Sequence, residues 1–519
     1  MRIAALDLGT NSFHLLVAEV QPDGGFTPLV REKEMLRLGD VVSREGHITD
    51  AAADAAVRTV RRFKLMAEAA EASEVLACAT SAIRQADNGD ALVDRIETET
   101  GVTVAVINGI TEARLIFGAV RASVMLDRPP ALCFDVGGGS VEIMVGDAGG
   151  MQWATSENLG VGRLTAELVH DDPPSKADRK RLQARLIDVL GPLADLVAGY
   201  EPKMVVGSSG TLEDLAHMVA ARRKGKGNVP VSLNQLMFSR DEFLELHHDI
   251  LAATASERRR MDGLEARRID LIPAGSMFLA TAMELFGFDE MTVSEWALRE
   301  GIVLEAIGRH DPEDWSDDPR AIRRSSVQSL ARRCNWPEAH SRQVAKLALE
   351  LFDQLRELHG LDDDDRELLE YAALLHDVGE HVSTVGHHKH AAYLIEHGQL
   401  RGFDPEEVHM LAALARWHLR GEPKLSDELR SLGPGGETRL RRLAALLRVA
   451  DGLDRSRSQV VTGLRVRAGP SLVLVRVGAN TDVELELWGA RRKRALFEKV
   501  FDRELEVTAH PSVGSLPTH

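Results

Sequence analysis

One pattern occurs twice in the sequence, as AALDLGTNSFHLLVAEV at residues 4–20 and as CFDVGGGSVEIMV at residues 133–145. Each copy places Asp-x-Gly-x-x-Ser between two apolar runs that are typical of β-strands. The aspartates of the two copies, Asp7 and Asp135, are separated by about one domain length. We therefore interpret the copies as two facing hairpin turns of a duplicated domain.

The rest of the chain divides by its periodicity. Up to about residue 145, strand-like runs alternate with helical ones such as residues 51–72, which is typical of a mixed α/β sheet. Residues 310–319 are acidic and hold two prolines, as exposed linkers do. Residues 320–458 show helical apolar spacing almost throughout, whereas residues 463–488 alternate as strands before a helix at 491–500 and a strand near 505–508. An all-α domain and a small α+β domain are therefore predicted after the duplicated part.

The composition is that of a folded protein with several domains: 519 residues, 44 % hydrophobic and 28 % charged. The formal net charge of −17 disfavours nucleic acid as a partner, and an anionic substrate would need a local basic pocket. The sequence contains no run of about 18 apolar residues, so no membrane span is predicted. The three cysteines, Cys78, Cys133 and Cys334, are widely spaced and odd in number, which favours the reducing cytoplasm over a disulfide framework.

The two glycine-containing turns, residues 7–12 and 135–140, have the composition of phosphate-binding loops. Glycine permits close backbone approach, and successive amide groups together with Thr and Ser hydroxyls can face a phosphate. Neither turn matches G-x-x-x-x-G-K-[ST] or G-x-G-x-x-G. A sheet turn that merely needs glycine is the alternative for one loop, but two matched loops with an aspartate at each strand end favour phosphate binding.

These turns belong to a set of seven ordered motifs, through which the chain resembles the exopolyphosphatase and guanosine pentaphosphate phosphohydrolase family of the actin and sugar-kinase superfamily. The motifs are DLGTNSFHLL (7–16), ATSAIRQADN (79–88), INGITEARLIFGAV (107–120), FDVGGGSVEI (134–143), GSSGT (207–211), RRIDLIPAG (267–275) and SEWALREG (294–301). The resemblance implies an α/β fold class. The predicted chain comprises two ribonuclease-H-like domains (1–117 and 118–305) with an interdomain cleft, an all-α HD-like domain (306–460) and a small α+β C-terminal domain (461–519).

The resemblance also implies the catalytic residues. Glu112 is the counterpart of the family's catalytic base, and Asp135 and Glu142 correspond to the carboxylates that bind Mg²⁺, or Mn²⁺, and position water. The family usually has a second glutamate at the preceding position, where this chain has Thr111. This difference leaves the predicted base unchanged. The alternative for Glu112 is a solvated helix glutamate paired with Arg114 or Arg121.

Two further sets of residues follow from the resemblance. The predicted phosphate-binding residues are Asp7, Gly9, Thr10, Asn11, Ser12, Arg84, Gly137, Gly138, Gly139 and Ser140. Gly207, Ser209, Gly210 and Thr211 resemble the superfamily's nucleotide-side loop, although a loop that only caps the strand is an equal alternative. The alternative for Arg84 is a surface salt bridge. Asp270, Pro273, Gly275, Arg299 and Glu300 are interpreted as architectural.

The helical region carries a second constellation. His340, His376, Asp377 and Asp451 reproduce the H…HD…D order of the HD phosphohydrolase superfamily, whose imidazole and carboxylate ligands hold a divalent metal. A second divalent metal in this domain is therefore predicted. The alternative is a vestigial HD fold whose histidines are buried or line a basic polyphosphate track made of His387, His388, Lys389, His390, Arg416 and Lys424.

The predicted function is a cytoplasmic, Mg²⁺-dependent exopolyphosphatase that removes terminal orthophosphate from inorganic polyphosphate. The nearest alternative is a guanosine pentaphosphate phosphohydrolase of the stringent response, which would share the same site. A non-enzymatic polyphosphate or nucleotide sensor and a sugar kinase are the alternatives from other classes. The family resemblance further implies a homodimer.

Overall fold

The structure is a computed structural model that describes residues 1–21, 25–224, 231–310, 320–419, 421, 432, 435–479 and 481–509. The chain forms two compact units, Met1–Ile322 and Arg323–His519. None of the described helices is both long enough and apolar enough to cross a membrane.

The first unit begins with a five-stranded sheet and its helices. Their bounds are β1 Arg2–Leu8, β2 Ser12–Val20, β3 Phe26–Met35, α1 Leu38–Glu45, α2 Asp50–Ala69, β4 Glu74–Ala79, α3 Ser81–Gln85, α4 Gly89–Thr100, β5 Val104–Val106 and α5 Gly109–Ser123. The strand order is β3-β2-β1-β4-β5, with β1, β2 and β3 antiparallel and β4 and β5 parallel to β1.

The same unit continues with a six-stranded sheet. Its elements are β6 Ala131–Val136, β7 Val141–Asp147, β8 Gly150–Glu157, α6 Val161–Leu168, α7 Lys176–Ala198, β9 Met204–Ser208, α8 Ser209–Lys224, β10 Met237–Ser239, α9 Arg240–Ala252, α10 Ala255–Arg258, a 3₁₀ turn Ala266–Arg268, α11 Ile272–Phe286, β11 Glu290–Val293 and α12 Leu298–His310. The strand order is β10-β11-β9-β6-β7-β8.

The two sheets are copies of one design, as the repeated pattern predicts. Taken from its other edge, the order β8-β7-β6-β9-β11 repeats β3-β2-β1-β4-β5. Both Asp-x-Gly-x-x-Ser segments join the first two strands of an antiparallel hairpin. In the first hairpin Asp7 is paired with His14, and in the second Asp135 is paired with Glu142. His14 and Glu142 therefore occupy equivalent positions.

Helices α5 and α12 each pack across the boundary between the copies. Helix α5 follows the first sheet but packs on β7 and β8 of the second, whereas α12 follows the second sheet and packs on β1 and β2 of the first. The two helices also contact each other, and a methyl group at Gly301 of α12 would lie 2.1 Å from the Leu115 carbonyl oxygen of α5. Only glycine permits this close approach. The predicted boundary between residues 117 and 118 falls inside α5, and the boundary near 306 falls inside α12.

The second unit joins a helical part to a three-stranded sheet. The helical part comprises α13 Ala321–Arg333, α14 Glu338–Gln354, α15 Arg356–His359, α16 Asp363–Leu375, a 3₁₀ turn Val378–His381, α17 His387–Glu396, α18 Pro405–Trp417 and α19 Gly436–Gly452. It is followed by β12 Val461–Ala468, β13 Leu472–Ala479, α20 Glu484–Lys493, α21 Ala495–Phe501 and β14 Glu504–Ala509. One apolar core spans both parts, from Val327 to Val507. The four-domain division stays a prediction. Of its predicted linker at 310–319, residue 310 ends α12 and residues 311–319 lie outside the described residues.

The segment VELELWG, residues 483–489, is a helix and not the predicted strand. Its buried residues Val483, Glu486 and Ala490 follow helical rather than alternating spacing. Glu486 accepts a hydrogen bond from the Ser456 amide over 3.2 Å, and Gly489 lies against the Gly452 backbone. These contacts with α19 and the turn after it outweigh the local β-propensity.

Candidate active site

The turns of the two hairpins meet in one cavity of about 280 Å³ in the first unit. Glycine allows them to approach closely. A methyl group at Gly138 would lie 2.4 Å from the Asn11 side chain, and one at Gly139 would lie 2.5 Å from the Thr10 hydroxyl oxygen. Any larger residue at these two positions would push the loops apart.

The backbone of both loops is held from outside the cavity. The Val161 and Gly162 amides at the start of α6 donate to the Gly137 and Gly138 carbonyls over 3.0 and 2.9 Å. In the first loop the Gly39 amide donates to the Thr10 carbonyl over 2.9 Å. Since the carbonyl and N–H of a trans peptide point in opposite directions, the following amides point away from these helices. The two loops thus offer amide donors in the manner of an anion-binding nest.

Four of the carboxylates that border the cavity, Asp7, Glu112, Asp135 and Glu142, come from the two hairpins and helix α5. Burial raises the pKa of Asp7 to about 7, that of Asp135 to about 6 and that of Glu142 to about 8, and the Asp135 charge also raises the last value. Burial and the neighbouring Glu142 raise the pKa of Glu112 as well. Buried carboxylates close to one another disfavour each other's ionisation. Their oxygen atoms are also the ligands that a divalent cation such as Mg²⁺ or Mn²⁺ prefers.

Helix α5 brings Glu112 to the cavity. The helix begins at Gly109 because the Asn108 side chain accepts from the Thr111 amide over 2.8 Å, a standard N-cap. A methyl group at Gly109 would lie 2.3 Å from Ser156 of β8, so glycine lets the helix start against the second sheet. Glu112, in the first turn, is only 7 % exposed. It is therefore not the solvated glutamate of the alternative interpretation.

Serine hydroxyls orient two of the carboxylates, a feature that the motifs do not reveal. Ser208 donates to Asp135 Oδ2 over 2.7 Å, and Ser156 donates to Glu142 Oε1 over 2.7 Å. Each bond fixes one carboxylate oxygen in position. Both serines lie on strands next to those of the carboxylates, so only the sheet pairing brings them together.

Most predicted phosphate-binding residues border the cavity, and a few do not. The residues at the cavity are Asp7, Gly9, Thr10, Asn11, Ser12, Gly137, Gly138, Gly139 and Ser140, with Ser209 and Gly210 of the nucleotide-side segment. Arg84 lies behind this lining, where it donates to Glu112 Oε2 over 3.3 Å and to the Ile107 carbonyl. Gly207 packs in the core near Met291, and Thr211 lies buried against Gly275. Ser209 to Thr211 form the first turn of α8 rather than a loop.

Several cavity residues were not singled out as site residues from the sequence: His14, Lys33, Glu213, Asp214, Glu265, Arg268 and Arg299. Arg299 Nη1 lies 3.2 Å from His14 Nδ1, and His14 Nε2 lies 2.7 Å from Ser12 Oγ. A guanidinium can only donate, so His14 carries its proton on Nε2 and donates to Ser12. Burial and the Arg299 charge lower the pKa of His14 well below its ordinary value, which keeps the ring neutral.

In the second unit the structure brings together all four residues of the HD pattern. His340 Nε2 lies 3.7 Å from Asp377 Oδ2 and 3.6 Å from Asp451 Oδ1, and His376 Nε2 lies 3.6 Å from Asp377 Oδ2. Burial lowers the pKa of His376 to about 4. Two lysines belong to the alternative prediction of a basic polyphosphate track. Lys389 is exposed, and Lys424 lies outside the described residues.

The duplicated ribonuclease-H-like fold, with its cavity between two copies of one hairpin turn, places the first unit among proteins with the actin and sugar-kinase fold. More particularly, the chain belongs to the Ppx/GppA phosphatase family: residues 16–310 match the family model, and residues 322–473 match the model of Ppx/GppA phosphatase domain III.

Individual relatives carry two different names. Exopolyphosphatase 1 of Mycobacterium leprae is 33 % identical over 332 residues, which cover 63 % of this chain and 94 % of the relative. Guanosine-5'-triphosphate,3'-diphosphate pyrophosphatase of Aeromonas hydrophila is 28 % identical over 457 residues, 88 % of each chain. The crystal structure of an exopolyphosphatase from Cytophaga hutchinsonii, 31 % identical, superposes with a TM-score of 0.56 and covers 60 % of this chain and 98 % of its own.

Proposed function

We propose that this chain is an exopolyphosphatase that removes terminal orthophosphate from inorganic polyphosphate, with Mg²⁺ or Mn²⁺ held by Asp135 and Glu142. The observation that carries the proposal is the buried Glu112 carboxylate, which borders the same cavity as two glycine loops with amide donors. A relative named exopolyphosphatase matches along nearly its whole length. Glu112 also argues against a mere sensor, because binding alone needs no base.

The catalytic roles follow from the positions of the groups. The loop amides with the Thr10 and Ser12 hydroxyls hold the terminal phosphate, and Glu112 accepts a proton from the attacking water. The water oxygen bonds to phosphorus as the bridging P–O bond breaks, giving orthophosphate and a chain shorter by one unit. A bound divalent cation would neutralise the charge that develops on the transferred phosphoryl group. Arg84 holds Glu112 in its orientation.

Guanosine pentaphosphate is the second candidate substrate. The Aeromonas relative, named for that substrate, matches along 88 % of both chains and so extends into the second unit. Phosphate release from long polyphosphate, short polyphosphate and guanosine pentaphosphate, measured side by side, tests the proposal. A kcat/KM that is higher for pentaphosphate than for either polyphosphate would reverse the assignment. Release that requires a sugar acceptor would instead identify a kinase.

Three further predictions belong to this proposal. The first is a cytoplasmic location. The three free cysteines are what a reducing compartment favours. A role in the stringent response follows only if the pentaphosphate is cleaved. The homodimer stays a prediction, which analytical ultracentrifugation checks directly.

We expect His14→Phe to lower kcat/KM on polyphosphate by about tenfold, because one hydrogen bond to a charged group contributes about 1.5–3 kcal/mol. With His14 protonated on Nε2, the Ser12 hydroxyl keeps its own proton for a phosphate oxygen. His14→Gln can still accept from Arg299 and donate to Ser12, and it should recover most of the activity. His47→Phe, on an exposed histidine, is the matched control. If His14→Phe and His14→Gln lose activity equally, the hydrogen bonds from Arg299 to His14 and from His14 to Ser12 do not orient the Ser12 hydroxyl for catalysis.

We expect a chain ending at Ile322 to keep turnover on short polyphosphate within about threefold and to raise KM on long polyphosphate about tenfold, since distal contacts add uniform binding. The basis is that the Mycobacterium relative matches only 63 % of this chain yet nearly all of its own length. Long-chain binding should also lose part of its salt dependence. Circular dichroism must first establish that the shortened chain folds. Equal loss on short and long substrates would contradict a length-reading role for the second unit.

A further inference from the structure

The first unit contains a second cavity, separate from the candidate active site. It has a volume of about 470 Å³ and is bordered by α5, by α12 and by Gly150 and Met151 at the start of β8. Pockets that bind small organic ligands in proteins are of this size. The proposed hydrolysis of polyphosphate assigns no role to any residue that borders it. We call it the effector cavity below.

The charge of the effector cavity is positive, in a chain whose formal net charge is −17. The charged residues that border it, among those described, are Arg114, Arg121, Arg309 and Glu305. Arg114 Nη1 and Nη2 donate to the two Glu305 carboxylate oxygens over 2.8 and 3.1 Å, an ion pair that links α5 to α12. These hydrogen bonds lower the pKa of Glu305, so it is ionised at neutral pH. One carboxylate against three guanidinium groups leaves an excess of positive charge, which favours an anionic ligand.

The inner wall of the effector cavity is apolar. Leu115, Phe117 and Leu304 border it, and each side chain is otherwise buried in the core. Arg114 and Arg309, by contrast, are exposed and lie at the mouth of the cavity. An apolar wall with guanidinium groups at the mouth matches a ligand that has an apolar body and an anionic end.

Gly118 keeps part of the effector cavity open, although packing does not require a glycine there. It lies inside α5, where glycine is a poorer helix former than alanine. A methyl group at Gly118 would have no atom of the described residues within 4 Å, whereas one at Gly301 on the facing helix would lie 2.1 Å from the Leu115 carbonyl oxygen. Helix packing therefore explains Gly301 but not Gly118. A ligand that lies against the bare backbone of α5 would explain it.

We propose that the effector cavity binds an organic phosphate monoester, an aryl phosphate or a nucleoside monophosphate, and that this ligand inhibits the enzyme. The apolar body lies beside Gly118 on the Phe117 and Leu304 side chains, and the phosphate lies between Arg114 and Arg309. A phosphate dianion matches the excess of positive charge, and guanidinium groups bind phosphate oxygens in pairs. Inorganic polyphosphate has no apolar body, so the substrate itself is not favoured here.

The two helices that form the effector cavity also border the active site. On α5, Glu112 borders the active site, whereas Arg114 borders the effector cavity from the other side of the helix. On α12, Arg299 borders the active site and Glu305 borders the effector cavity. A phosphate bound to Arg114 competes with Glu305 for its guanidinium and so alters the link between the helices. The ligand should therefore disturb Glu112 more than the loops that hold the substrate, and lower kcat more than it changes KM.

Calorimetric titration with 1-naphthyl phosphate tests the site. The full-length Glu112→Gln chain is titrated in saturating tripolyphosphate, so that the loops of the active site are occupied. We expect one site per chain, weakened about tenfold or more in Arg309→Gln by loss of a charged hydrogen bond, and also in Gly118→Leu, whose side chain fills the cavity. Inorganic phosphate and 1-naphthol, each with half of the probe's features, should bind far more weakly. Adenosine monophosphate in a parallel titration distinguishes a nucleotide from a simple aryl phosphate by which binds more tightly.

The controls are matched substitutions at exposed helix positions. Ala184→Leu on α7 and Arg58→Gln on α2 should bind the probe as the parent does. Absence of binding in the parent, or equal affinity in the parent, Gly118→Leu and Arg309→Gln, overturns the site. An additional site that persists in both variants would mean that tripolyphosphate does not fill the active site. That result would contradict the proposed exopolyphosphatase and not the effector cavity.

Polyphosphate hydrolysis by the chain with Glu112 intact tests the inhibition. We expect saturating 1-naphthyl phosphate to lower kcat about fivefold, with little change in KM, and to lose this effect in Gly118→Leu. Leucine is a strong helix former, and thermal unfolding shows whether the variant folds. Arg309→Gln, on an exposed side chain, keeps the test decisive if it does not. Binding that leaves kcat unchanged, raises it, or only raises KM overturns the inhibitory role.

Discussion

Glu112→Gln should lower turnover on polyphosphate by about 10²–10⁴-fold, the range for loss of a general base. Glutamine keeps the size of the side chain and an oxygen that can accept from Arg84, but it cannot take a proton from water. KM should change little, because the phosphate is held by the loops and not by this carboxylate. Steady-state phosphate release over a range of polyphosphate concentrations separates the two parameters.

Stability provides the control for this variant. Burial raises the pKa of Glu112, and a carboxyl whose pKa is higher in the folded than in the unfolded chain costs stability as the pH rises through and above the unfolded value. Glutamine removes that cost, so the variant should unfold at the same or a higher temperature at neutral pH. Glu68→Gln, on an exposed glutamate of α2, is the matched control for turnover. Near-parental turnover in Glu112→Gln would remove this residue from the catalytic role.

Asp135→Ala should reduce activity at millimolar Mg²⁺ by at least about 100-fold, since even the loss of groups that only orient a metal ligand costs 10–100-fold. The variant loses an oxygen donor next to Glu142 and leaves the Ser208 hydroxyl without its acceptor. Asp135→Asn keeps one oxygen, and raising the Mg²⁺ concentration should partly restore its activity. Calorimetric Mg²⁺ titration of metal-free protein measures the same loss without turnover.

The matched control is Asp188→Asn, on an exposed aspartate of α7. It should leave both the Mg²⁺ titration and the activity as they are in the parent chain. If Asp135→Ala shows the parental dependence on Mg²⁺, Asp135 is not a ligand, and the cation must be assigned to the other carboxylates of the cavity.

The duplicated sheet could be predicted because the repeat has a strict local form. In this chain Asp-x-Gly-x-x-Ser lies between apolar runs at two places, and at both it forms the turn of a hairpin that begins a sheet. The same repeat could have revealed His14, which stands seven residues after Asp7 as Glu142 stands seven after Asp135. That equivalence is visible in the sequence once the two copies are aligned.

Other parts of the site depend on packing between distant segments, which no local pattern records. Lys33 comes from β3, Arg268 from a 3₁₀ turn and Arg299 from the start of α12, and the fold alone brings them to one cavity. The sequence alone indicates an architectural Arg299, and the structure adds that this residue contacts His14 directly. The helix at 484–493 was missed for the same reason, because its burial against Gly452 is a tertiary contact.

The exchange of α5 and α12 between the two sheets has a mechanical consequence. A hinge motion of one half of the first unit against the other would turn about these two helices, which pack together where Gly301 meets the Leu115 carbonyl. Glu112 lies one turn before Leu115 on α5, close to such a pivot, whereas the two glycine loops lie on the moving arms. A pivot travels less than the arms that rotate about it. Closure would therefore bring the phosphate to an almost stationary base, so that the geometry of proton transfer is set before the substrate arrives.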